Sequence, residues 1–199
     1  MDERRRIEQA LEMVCETAGT GGPAWLVGGS AGLMLRGIRL PSPPRDLDLY
    51  ADDRDAEELH IAMRDLATDV PAVSETGLYR SLLSHYEAAG VPIELVGGFE
   101  VRAGANRYRT EVRSFLYRHA EPVAVGKRFV KVVPLAHELW FNMLRGREDR
   151  VRLIAAEIRR KPALHVPILD ELEARNDLAE EAIRQVRSRL EHAGVGDGR

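Results

Sequence analysis

The sequence predicts an α+β protein: a mixed β-sheet with helices on one side up to about Val133, then a helical C-terminal portion. Short apolar runs of strand type are interspersed with amphipathic helical stretches as far as Val133. "SLLSHYEAAGVPIELVG" reads as two strands about a tight turn. Beyond Val133 only helical periodicity remains. The 199 residues are 44% hydrophobic and 31% charged, enough for one domain with a real core or one domain plus a small appendage. The expected division is 1–133, carrying the sheet and an N-terminal helix, and 134–199.

Each element has a local reason. Ile7, Leu11 and Val14 recur at helical spacing, so residues 3–18 form an amphipathic helix that ends at the breaker "GTGG". "PAWLVGG" is a short buried strand entering a glycine turn, and "SAGLMLRG" continues as a helix stopped by Gly37. "RLPSPPR" is a stiff extended loop because three prolines fix φ and remove donors. "DLDLYA" is the next strand, followed by a helix from about Arg54 to Leu66 with Leu59, Ala62, Met63 and Leu66 on one face. "SFLYRHA" and "AEPVAVGKRFVKVV" read as extended. "PLAHELWFNMLRGREDRVRLIAAEIRR" has proline near the start of a long helical pattern and a break at Gly146. One or two charged helices follow, with a frayed end "VGDGR". Trp25 and Trp140 read as core residues.

Composition narrows the function classes. No run of eighteen apolar residues exists, and the charged, helical N-terminus does not resemble a secretion signal. The expectation is a soluble, cytoplasmic protein with no membrane partner. The single cysteine, Cys15, permits no internal disulfide and falls in the helical pattern as a packing residue. A net charge of −3 makes no global case for a nucleic-acid binder. From Val101 to Lys131, however, eight basic residues (Arg102, Arg107, Arg109, Arg113, Arg118, Lys127, Arg128 and Lys131) face only Glu111 and Glu121. That run reads as a solvated face or as a surface that meets phosphate.

The chemistry-bearing residues are carboxylates and glycines. Residues two apart on a strand share a face, so Asp46 and Asp48 project together while Leu47 and Leu49 enter the core. The same parity in "PIELVGG" turns Glu94 away from the core, and three carboxylates would converge if the two strands are neighbours. Two carboxylates about 4 Å apart repel by roughly 4 kcal/mol at an effective dielectric near 20, so a cation is the expected compensation. Oxygen ligands of this kind suit Mg²⁺, which completes its octahedron with water and substrate phosphates. Upstream, the glycines of "VGGSAG" at a strand-to-helix turn let backbone amides approach a phosphate, and Ser30 adds a hydroxyl donor.

With "LVGGSAG", "RDLDLY" and "PIELVGG" in this order, residues 22–100 resemble the nucleotidyltransferase superfamily that includes DNA polymerase beta, the aminoglycoside and lincosamide enzymes and toxin-type members. The "PLAHELW...GRED" helix is similar, weakly, to the segment after the catalytic sheet in small members. Fifteen residues separate Ser30 from Asp46, a long spacing, and the third acid is Glu rather than the commoner Asp. Asn142 stands where many toxin-like members carry lysine.

The resemblance implies an enzyme moving a nucleoside monophosphate from NTP to a hydroxyl, with pyrophosphate leaving. It assigns Gly28, Gly29 and Ser30 to the phosphates, Arg45 to screening the triphosphate, and Asp46 and Asp48 to one or two Mg²⁺ ions. Glu94 would complete the second metal site or accept the acceptor's proton. A small-molecule acceptor leads. The alternatives are a toxin-like enzyme modifying tRNA or protein, with a toxin or antitoxin partner, or a non-catalytic nucleotide-binding or antitoxin-like module. His85, Tyr86 and His137 read as packing or surface residues that could approach an acceptor, and "GRED" as an ion-pair cluster at a helix end. Oligomeric state is left open.

Overall fold

The computed structural model describes residues 3–19 and 21–191, so the expected frayed end lies outside the described residues. The chain forms two compact units. One comprises the residues up to Glu100 together with Arg109–Val133, the other Val101–Tyr108 together with the chain from Pro134.

In the first unit α1 (Glu3–Ala18) buries Ile7, Ala10, Leu11 and Val14, one stripe of a 3.6-residue period. There follow β1 (Trp25–Gly28), α2 (Gly29–Leu35), β2 (Leu47–Ala51) and α3 (Asp53–Met63), which ends in a 3₁₀ turn, Arg64–Leu66. Then come β3 (Ala72–Glu75), β4 (Tyr79–Ala88) and β5 (Val91–Ala103), whose last three residues belong to the second unit, as does β6 (Asn106–Arg109) except for Arg109. A π-helical turn, Val112–Leu116, runs into the short α4 (Tyr117–His119), and β7 (Glu121–Val125) and β8 (Arg128–Val132) close the series.

The eight strands form one sheet in the order β3-β4-β5-β2-β1-β8-β7, with β6 paired to β5 off this path. Strand β1 runs antiparallel to β2 and parallel to β8, and β2 runs parallel to β5. The sheet is therefore mixed, as the sequence implies. Ala89 and Gly90, both at positive φ, make the two-residue turn between β4 and β5.

Leu47, Leu49 and Ala51 of β2 join Ile93 and Leu95 of β5 and the apolar stripes of α1, α2 and α3 in one core. The face of Asp48 and Tyr50 is thus turned away from these three helices, while Asp46 lies before the strand begins. That second face is not bare. Leu26 and Tyr50, paired across β1 and β2, are buried on it, and the π-helical turn packs on the same two strands. Arg36 fixes the end of α2 by donating from Nη2 to the carbonyls of Val132 and Val133, at 3.1 and 2.6 Å.

In the second unit α5 (Leu135–Leu144) is buried over most of its length, its polar His137, Glu138 and Asn142 included, and packs on α6 (Glu148–Arg160) and α7 (Pro162–Arg175). The break between α5 and α6 falls at Gly146, at φ +66. A fourth helix, α8 (Glu180–Glu191), is tied to the others by ion pairs of Arg187 with Asp170 and Glu173 and of Arg189 with Glu148.

Three local features are not expected from the sequence. "SFLYRHA" is helical, not extended, because the carboxylate of Asp52 accepts the amides of Val112 and Arg113, at 2.9 Å each, and so starts a turn. Strand β3, for which the sequence carries no expectation, has mostly exposed residues and so no alternating apolar signal. Residues 101–108 belong with the C-terminal helices. Arg107 and Asp177 exchange backbone hydrogen bonds at 2.7 and 3.2 Å, and Asn106 Oδ1 accepts the Ala179 amide.

Candidate active site

The glycine turn and the carboxylates meet at the junction of β1 and β2. Gly28 closes β1 directly opposite Asp48. A Cβ on Gly28 would overlap the Tyr50 ring, and one on Gly29 would overlap Asp48 Oδ2. Gly29 also sits at φ +59, where an L side chain is strained. The side-chain space of this turn is filled by the protein itself, so glycine is required here by Tyr50 and Asp48. Ser30 follows, half-buried in the first turn of α2.

Asp48 is in register with Glu94 on the parallel neighbour β5, flanked by the pairs Leu47–Ile93 and Leu49–Leu95. Leu47, Leu49, Ile93 and Leu95 are fully buried while Asp48 and Glu94 are half-buried, as the parity reading requires. Asp46 lies two residues before Asp48, half-buried, in the loop that enters β2. Arg45 is exposed in that loop.

Among the described residues no three His, Cys, Asp or Glu side chains are drawn into a metal-holding group. The sheet aligns Asp48 with Glu94 but does not close the three acids into a cage. Oxygen-only donors at half-buried positions still fit Mg²⁺, which is commonly held by one or two carboxylates with waters and substrate oxygens. They do not fit a softer ion, which would call for sulfur or imidazole.

The remaining sequence candidates have other partners. His85 Nδ1 lies 2.5 Å from Asp69 Oδ2, an exposed pair that holds the Asp69 carboxyl below its usual range despite the opposing effect of burial. The Tyr86 hydroxyl is buried against Ser84 Oγ and His60 Nδ1, at 2.9 and 2.8 Å, and burial raises its pKa. His137, in the second unit, is fully buried beside the Tyr108 hydroxyl at 2.8 Å, and burial pushes its pKa down to about 3. Asn142 donates to the carbonyl and carboxylate of Glu138 within α5. In "GRED", Arg147 pairs with Asp149, a local cluster at the start of α6.

Two members of the basic run are taken up in ion pairs within the first unit. Arg113 Nε donates to Asp55 Oδ2 at 2.9 Å, a second bond joins the same pair, and Asp55 is 4% exposed. Arg109 pairs with buried Glu100 at 3.4 Å. Sequence reasoning missed the acids Asp52 and Asp55, which hold the π-helical turn. The acidic start of α3, "DDRD", was the available signal, and only tertiary contact shows its use.

No family model matches the chain, and no curated protein matches it in sequence. Solved structures do match in shape. A provisionally assigned nucleotidyltransferase of Thermotoga maritima aligns with a TM-score of 0.60 at 18% identity, over 76% of this chain and 91% of its own. ANT(2″)-Ia, in complex with adenylyl-2″-tobramycin, aligns with a TM-score of 0.50 at 13% identity, over 82% of this chain and 97% of its own. At such identities the likeness is one of architecture: this chain has the nucleotidyltransferase fold.

Proposed function

We propose that the chain is a nucleotidyltransferase that moves a nucleoside monophosphate from an NTP to a hydroxyl of a small molecule. One observation carries this reading. The Gly28–Gly29 turn closes on Asp48, and Asp48 is paired in register with Glu94 on a face turned away from α1, α2 and α3. A phosphate taken up by the turn would therefore lie beside the acids.

Asp46, Asp48 and Glu94 would hold one or two Mg²⁺ ions, which when bound neutralise the triphosphate and stabilise attacking and leaving oxygens. The rest falls to the chain. Ser30 offers its hydroxyl to the phosphates, and Arg45, exposed beside Asp46, screens their charge. In the transfer the acceptor oxygen bonds to the α-phosphorus, the bond from that phosphorus to the bridging oxygen breaks, and pyrophosphate departs. The hydroxyl proton passes to Glu94 or to water. That a protein of this fold, ANT(2″)-Ia, is found with an adenylylated tobramycin supports a small hydroxyl-bearing acceptor.

The test is incubation of the full chain with each α-labelled NTP, Mg²⁺ and a panel of hydroxylated antibiotics, with total RNA as a parallel acceptor. Pyrophosphate release and label in a small molecule are expected, both lost in Asp48→Asn. Label in RNA alone would overturn the small-molecule acceptor. Absence of transfer together with absence of an NTP-plus-Mg²⁺ thermal shift would overturn the enzyme.

A further inference from the structure

At the other end of β1 from the glycine turn the surface of the first unit opens into a groove of about 420 Å³. Strand β1 has four residues, so Trp25 lies about 10 Å from Gly28 along it, and the groove is a separate place from the carboxylates. Its lining includes Trp25, Tyr117, Lys127, Arg128, Phe129 and Lys131, and no carboxylate.

The rings are accessible. Phe129 is 74% exposed and Tyr117 is 37% exposed. On β8 the neighbouring Val130 and Val132 enter the core, so Phe129 and Lys131 share the outer face. Lys131 is held in place, with Nζ 3.7 Å from the centre of the Tyr117 ring and donating to the Tyr117 carbonyl at 2.9 Å. Among the described residues neither Lys127 nor Arg128 is ion-paired. Glu12 and Glu16, the acids near Cys15 on α1, lie outside the lining.

Cations alone would suit any polyanion, and an exposed phenylalanine alone would suit any apolar partner. Together in a groove without acids they match one chemistry: phosphates for the cations and flat base faces for the rings. Duplex nucleic acid hides its base faces, and an apolar protein surface leaves the three charges unanswered. We propose that this groove binds single-stranded nucleic acid, its phosphates on Lys127, Arg128 and Lys131 and a base on Phe129. The proposal does not depend on the reading of the carboxylates.

The experiment is fluorescence anisotropy of labelled uridine dodecamers, as RNA and as DNA, with the full chain in EDTA and without NTP. Failure there leaves the nucleotidyl-transfer reading untouched. Three phosphate contacts predict a fall of log affinity with log salt of slope roughly −2. Lys127→Gln with Arg128→Gln should bring the slope to about −0.7. Phe129→Ala should weaken binding about tenfold at every salt concentration and leave the slope in place. Both changes are at the surface, and unchanged melting temperatures confirm that the variants fold. Binding by RNA, DNA or both supports the proposal. It is overturned if heparin or a duplex competes as well as the single strand, if a mononucleotide binds as tightly as the dodecamer, or if neither variant changes affinity. It is also overturned if Phe129→Ala converts a dimer to a monomer, because a second copy of the chain then occupies the groove.

Discussion

Gly29 and Asp48 occupy each other's space: the side chain that Gly29 lacks would overlap Asp48 Oδ2, and Gly29 holds φ +59 to bring this about. The turn and the acid are therefore one device. Gly37 offers a control, because it also has a positive φ, +84, but nothing lies within 4 Å of where its Cβ would be.

Gly37→Ala should cost only the left-handed backbone, about 1–2 kcal/mol. Gly29→Ala should cost that and also displace Asp48, so its melting temperature should fall further and its NTP-plus-Mg²⁺ stabilisation should vanish while that of Gly37→Ala persists. Thermal melts with and without ligand measure both. Equal behaviour of the two variants would mean that the contact with Asp48 has no consequence.

The pair Arg113–Asp55 yields a second expectation. Asp55 is buried at the start of α3, and Arg113 supplies its compensating charge while the Asp52 carboxylate caps the same π-helical turn. Arg113→Gln strands a buried carboxylate and should lower the melting temperature, more than Asp55→Asn does, because a neutral amide tolerates burial better than an unpaired charge. The double variant should melt above Arg113→Gln alone. A double variant that merely sums the two losses would show that the residues do not act as a pair.

What was legible in the sequence was what a period of two can encode. Alternation in "DLDL" and "IELV" set which residues face the core, and the tight turn "AAG" made β4 and β5 neighbours. It could not encode which strand lies beside β2. The parallel register of Asp48 with Glu94 arises from a crossover of 39 residues, 52–90. The helical state of "SFLYRHA" was hidden for the same reason, since the carboxylate that nucleates it comes from Asp52, sixty residues away. Arg113 reads locally as one more surface cation, and only its contact with Asp55 separates it from Lys127 and Arg128. At Gly29 the sequence shows a glycine at a strand-to-helix turn, but its contact with the Asp48 carboxylate is one that sequence spacing does not reveal.

His137 predicts the pH response of the second unit. Its pKa is pushed from 6.5 down to about 3 by burial, so it stays neutral in the fold while the unfolded chain binds a proton below pH 6.5. The unfolded state then holds more protons, and stability falls as pH drops from about 6.5 to 3, by up to about 5 kcal/mol in total. His137→Gln removes this dependence. Its melting temperature should be lower than wild type at pH 7, where the contact with Tyr108 is disturbed, yet should change less between pH 6.5 and 4. Parallel profiles for the two proteins would place the acid sensitivity elsewhere.

The last prediction concerns the paired acids. Asp48 and Glu94 are directly matched residues on adjacent parallel strands, both half-buried and both projecting from the same face. Like charges so placed repel by about 1 kcal/mol when water screens them. On the proposed function a cation between them would reverse the sign of that repulsion. Glu94→Gln keeps the shape and removes one charge, so in EDTA it should melt slightly above wild type. In Mg²⁺ the order should invert, since wild type gains from the ion and the variant gains less, and nucleotidyl transfer should fall by at least a hundredfold, about 2.7 kcal/mol of transition-state stabilisation. The crossing of the two stabilities between EDTA and Mg²⁺ is the diagnostic. If Glu94→Gln melts below wild type in both conditions by the same amount, Glu94 serves the fold through its packing and Asp48 does not share an ion with it.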